Sequence, residues 1–154
     1  MLPTSSVWIK TFGGPNDDYG TSVQQTTEGG YIITGFTNSF GAGSGDVWLI
    51  KTDGDGNKVW DKTFGGVNED FGSSIQQTTE GGYIIVGSTK SFGTGDSDVW
   101  LIKTDESGSI VWDKTFGGIS FDAGFSVQQT SDGGYVITGS TNSSVVGNRD
   151  VWLI

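Results

Sequence analysis

The sequence predicts an all-β chain, and three observations predict it. A pattern recurs every 52 residues, placing Trp8, Trp60 and Trp112 in one series and Trp48, Trp100 and Trp152 in another. Within it, short apolar runs such as Tyr31-Ile32-Ile33 lie between Gly, Asn, Asp and Ser clusters, the chemistry of strands and turns. No stretch shows the 3.6-residue apolar period of a helix, and alanine occurs only twice.

Each repeat reads as four strands. The first covers residues 7–12, with copies at 59–64 and 111–116, and alternates apolar with polar. The second centres on Ser22-Val23-Gln24-Gln25-Thr26 and holds one apolar residue. The third and fourth, at 30–35 and 46–51, carry continuous apolar runs, as strands buried on both faces do. Glu28-Gly29-Gly30 predicts a tight hairpin between the second and third strands. Residues 53–57 predict another, with Gly56 at positive φ. Residues 1–6 read as a tail, and 7–154 as one unit with repeats starting near 8, 60 and 112.

Three four-stranded repeats suit a β-propeller, one blade per repeat, or a β-trefoil monomer with internal threefold symmetry. A blade lies between two neighbours, so its middle strands are apolar on both faces and its polar strand lines a channel. The burial profile read above favours the propeller, and the trefoil stays as the alternative. Propellers have at least about four blades, so three predict association. Residues 7–12 of one copy are expected to complete the Trp152 sheet of the next. A dimer then has six blades and a trimer nine, because a head-to-tail contact must close into a ring or grow into a filament.

The phrase Phe64-Gly65-Gly66, Glu69-Asp70-Phe71-Gly72, Ser74-Ile75-Gln76-Gln77-Thr78, Gly81-Gly82-Tyr83-Ile84-Ile85 and Asp98-Val99-Trp100-Leu101-Ile102-Lys103 resembles a known family. It is the family of tandem β-propeller repeats in bacterial and archaeal secreted or surface proteins. The resemblance runs from Val7 onward. It implies a propeller fold, a secreted or cell-surface setting and a binding or display role. Members usually carry more than three repeats per chain.

Composition removes several functions. There is no His and no Cys, so thiol nucleophiles, Ser-His triads, thiolate zinc sites and disulfides are excluded. The net charge of −10 argues against nucleic acid, which is held through Lys and Arg. No apolar run approaches the roughly 20 residues of a membrane span, and residues 1–10 show no apolar signal-peptide core. No cofactor is expected.

Candidate residues lie in the long loops, which differ most between repeats. Asp17, Tyr19, Phe40, Glu69, Phe71, Phe92 and Arg149 are candidates for binding a glycan or a protein. For the aromatic ones, packing between blades is the competing role. Asp18, Asp70 and Asp122 recur in register and are expected to accept turn amides, a structural role shared by Trp48, Trp100 and Trp152. Asp53, Asp55 and Asn57 resemble half a calcium loop, but Phe64 stands where the closing glutamate belongs, so a plain turn is expected. The acids recur with the repeat, as structural parts do, which points to a non-catalytic, self-assembling scaffold. Two alternatives are a carboxylate-dependent glycoside hydrolase and a structural or constructed assembly without ligand.

Overall fold

The computed structural model describes residues 7–143 and 149–154. The expected tail 1–6 lies outside the described residues. So does segment 144–148, where the third repeat departs from the other two.

The chain is all-β among the described residues. Eleven strands follow one another: β1 (Asp18–Gln25), β2 (Tyr31–Thr37), β3 (Asp46–Thr52), β4 (Lys58–Phe64), β5 (Asp70–Gln77), β6 (Tyr83–Thr89), β7 (Asp98–Thr104), β8 (Ile110–Phe116), β9 (Asp122–Gln129), β10 (Tyr135–Thr141) and β11 (Asp150–Leu153). They form three antiparallel meanders, β1-β2-β3-β4, β5-β6-β7-β8 and β9-β10-β11. The predicted hairpins are present: Gly29 and Gly56 take φ of 91° and 75°, which glycine adopts without a Cβ clash.

Sheet membership departs from the 52-residue reading. Each four-stranded sheet takes its outer strand from the start of the next repeat, so β4 and β8 are the copies at 59–64 and 111–116. Residues 7–12 carry the same pattern, yet they form no strand. A strand needs a partner's backbone amides and carbonyls. Among the described residues no strand of the same chain lies beside 7–12.

Side chains alternate across a strand, and here both sets are buried. On β3, Val47 and Leu49 face the second sheet, with Ile32, against Ile75, Tyr83, Ile85, Trp100 and Ile102. On β7, Val99 and Leu101, with Ile84 and Val86, meet Val127 and Ile137 of the third sheet. Every residue of β3 and β7 is buried. Each apolar side chain so buried contributes about 1.5–3 kcal/mol relative to exposure, an upper figure because unfolded chains already bury some area. The stack is therefore held by face-to-face packing of thin sheets, as propeller blades are.

The inner strands stay polar and interlock through glutamines. The Gln77 amide donates to Gln24 Oε1 at 2.6 Å, and the Gln129 amide to Gln76 Oε1 at 2.8 Å. A bulge shifts the register beside Gly20, Gly72 and Gly124. Gly35, Gly87 and Gly139 lie opposite, and a Cβ on Gly87 would stand 1.7 Å from the Phe71 carbonyl oxygen.

The two ends of the stack differ. Val151 is 91% exposed and Leu153 68%, whereas their equivalents Val47, Leu49, Val99 and Leu101 are 1, 0, 0 and 4%. Among the described residues no strand covers the outer edge of β11. At the other end, residues 7–12 lie on the first sheet. Trp8 rests on Tyr31, and Lys10 Nζ donates to Asn57 Oδ1 at 2.9 Å.

Candidate binding face and assembly edge

The loops before the first and third strands of each sheet converge on one face. The Asp70 amide donates to the Gly45 carbonyl at 2.9 Å, and the Asp122 amide to the Ser97 carbonyl at 2.8 Å. These bonds link the β2–β3 and β6–β7 loops to the sheet that follows.

Asp18, Asp70 and Asp122 pin this face. Each accepts a glycine amide four residues earlier, from Gly14, Gly66 and Gly118, at 2.8, 2.8 and 2.9 Å. Each also accepts a serine hydroxyl, from Ser39, Ser91 and Ser143, at 2.8, 2.6 and 2.7 Å. Burial pushes the Asp18 and Asp122 carboxyls up, but hydrogen bonds from Thr37 and Thr141, the glycine amides and the serines outweigh it, and both titrate below the usual value. Asp46 and Asp98 are buried beside the next sheet. Burial raises their pKa, and the charges of Asp70 and Asp122 raise it further.

The nominated aromatics divide. Phe40 lies 5.4 Å from Trp48 and Phe92 5.1 Å from Trp100, ring to ring, with one edge left to solvent. Trp48 and Trp100 donate to Asp61 and Asp113 at 3.0 and 2.9 Å. Trp152 packs on the second core layer. Tyr19, Phe36 and Phe71 form a file of rings at 6.4 and 5.4 Å across the first junction. Asp17 is exposed, and its carbonyl accepts the Asn38 amide at 3.0 Å.

The second junction lacks that file, because Ser88 stands where Phe36 does and Ala123 where Phe71 does. A cleft of about 300 Å³ opens there, lined by Phe71, Ser88, Ser97 and Phe121 and by the Glu69–Lys90 ion pair at 2.5 Å. The Arg149 guanidinium lies 5.3 Å from the Phe121 ring centroid. Of the nominated residues, Glu69 and Phe71 reach the cleft and Arg149 adjoins it. Asp17, Tyr19, Phe40 and Phe92 do not line it. Phe36, Ser88, Lys90, Ser97 and Phe121 were missed. Their signal was present as departures from the repeat: Ser88 for Phe36, Lys90 for Asn38, Phe121 for Asp17.

The half calcium loop is folded as a turn. Asp53 Oδ1 accepts the Asp55 and Asn57 amides at 3.0 and 2.8 Å, and Oδ2 accepts Asn57 Nδ2 at 3.0 Å. The Asn57 side-chain bond, then its amide, holds the Asp53 carboxyl below its ordinary value. No group of three or more carboxylates gathers for a metal among the described residues.

A further concavity of about 510 Å³ is a groove along the free face of the first sheet, lined by Trp8, Tyr19, Val23, Tyr31, Ile33 and Trp48. On the second and third sheets the same positions are packed by a neighbouring sheet. No protein-family model and no curated protein matches the chain.

Proposed function

We propose that the chain is a non-catalytic, self-assembling β-propeller scaffold whose copies join head to tail, in keeping with the family its repeats resemble. One observation carries the reading: the two ends of the stack are complementary halves of a junction the chain already makes twice inside itself. The exposed Val151 and Leu153 occupy the positions of Val47 and Leu49. The groove holding Val23, Tyr31, Ile33 and Trp48 occupies the positions of Ile75, Tyr83, Ile85 and Trp100. Residues 7–12 already sit on the first sheet as β4 sits on the second, ready to pair with β11 of another copy.

Two copies give six blades, inside the usual range of about four to eight, and three give nine, outside it. The solution mass tests this. A species of twice 16.2 kDa is expected, and one of 16.2 kDa at every concentration would overturn it.

A second reading is favoured by the cleft beside Phe71. The exposed ring of Phe71, an ion pair and the hydroxyl groups of Ser88 and Ser97 are the equipment of a glycan or peptide site, and 300 Å³ is the lower end for small-ligand pockets. We assign it to ligand capture on the long-loop face of a secreted or surface protein. A glycan array read with wild type and Phe71→Ala tests this: binding lost in the variant supports it, and no binding by wild type rejects glycans.

A further inference from the structure

Two backbone bridges tie neighbouring sheets at the long-loop face. Gly45 pairs in parallel with Glu69, and Ser97 with Phe121. Both pairs are separated by 24 positions, and the second is the first advanced by one 52-residue repeat. Advanced once more, the first member is Arg149. The second member falls one repeat beyond Phe121, and in the proposed head-to-tail ring that position is Asp17 of the next copy.

We infer that Arg149 of one copy faces Asp17 of the next, and that this charge pair selects the junction between copies. The inference rests on the self-assembly proposed above. It gives these two residues an address that neither internal junction has, since Gly45 with Glu69 and Ser97 with Phe121 bring no opposite charges together. Residues directly opposite in a bridge are close enough for side-chain charges to attract or repel. Arg149 is the only arginine in the chain, and its planar fork suits a carboxylate. Both residues are exposed in the single chain. The guanidinium is already held over Phe121, 5.3 Å from the ring centroid, so less side-chain freedom is lost on pairing. Each copy carries a net charge of −10, so two copies repel in general. An arginine at the contact offsets part of that repulsion.

The absence of cysteine makes a direct test simple. Bridge partners have Cα separations within the range of about 4.4–6.8 Å that a disulfide spans. A chain carrying Arg149→Cys is mixed with one carrying Asp17→Cys and oxidised. A covalent dimer is expected on a non-reducing gel, released by reductant. Arg149→Cys mixed with Thr27→Cys, on the opposite hairpin end, should give none. Separately, Arg149→Asp should raise the concentration needed for half-assembly about five- to tenfold. Adding Asp17→Arg to that variant should return it to the wild-type value.

An assembled wild type with no cross-link, or with no rescue by the charge exchange, would overturn this pairing and leave the ring standing. A wild type fixed at 16.2 kDa would overturn both.

Discussion

Trp8 meets Tyr31 with ring centroids 5.8 Å apart and planes at 59°, the seating that Trp112 takes on Tyr135 at 5.9 Å and 59°. Trp112 arrives on β8, a strand paired within its own sheet; Trp8 arrives on a segment with no strand partner among the described residues. The seat is therefore made by side-chain packing across sheets and not by the backbone ladder. Gly56 makes room for it, since a Cβ there would stand 2.5 Å from the Trp8 ring.

Trp8→Ala should unseat residues 7–12 and weaken assembly while the sheets stay folded. Trp8 is 45% exposed, so the loss of stability should fall below the ~3–5 kcal/mol of a fully buried ring. Light scattering should show a shift toward 16.2 kDa with an unchanged far-ultraviolet circular dichroism spectrum.

Val99→Lys and Val151→Lys are the same change at equivalent positions, and they should behave oppositely. Val99 lies in the second core layer, where an unpaired ammonium costs several kcal/mol, so the chain should fail to fold. Val151 lies on the free face of the third sheet. Its variant should give a folded monomer that does not assemble. Denaturation curves and solution mass, taken together, check the pair.

Gly87→Ala should be far worse than Gly29→Ala. At Gly87 the new methyl meets a backbone carbonyl at 1.7 Å, and only movement of the bulge relieves it. At Gly29 nothing lies within 4 Å, and only the positive φ opposes alanine, at about 1–2 kcal/mol. Urea midpoints should rank wild type above Gly29→Ala, and Gly29→Ala well above Gly87→Ala.

Stability should fall in acid through Glu28 and Glu80. The hydrogen bond from Lys51 holds Glu28 at about 2 against the opposing effect of burial. The bond from Gln129, helped by Tyr135, does the same for Glu80. A lowered carboxyl pKa contributes stability that is complete above about 4.5 and lost as pH falls toward about 2. Asp46 and Asp98, raised by burial, act in the opposite sense, and their contribution is lost as pH rises through their folded values. Both glutamates are about half exposed, so screening keeps the effect small. Glu28→Gln with Glu80→Gln should flatten the fall of the urea midpoint between pH 4.5 and 2.

Much of this protein was legible along the chain. The period of 52, the turn glycines and the doubly apolar strands are local patterns, and a strand with Val47, Trp48, Leu49 and Ile50 in succession has to be buried on both faces. The backbone role of Asp18, Asp70 and Asp122 was legible for the same reason, since each bonds to a turn four residues away.

Other features are not properties of any one segment. Residues 7–12 and 59–64 share a pattern, but only the second has β3 beside it, and a ladder exists only where two backbones meet. The cleft at the second junction is lined by Ser88 where the first junction has the Phe36 ring, and that difference shapes a cavity only once two sheets are packed together. The sequence alone therefore determined the blade: its strands, its turns and the need for a covering sheet on each face. Tertiary packing decided which sheet each outer strand joins, which faces remain open and where a cavity forms. Those depend on which distant residues come into contact, and a repeat leaves all its copies equivalent until packing distinguishes the middle one from the two at the ends.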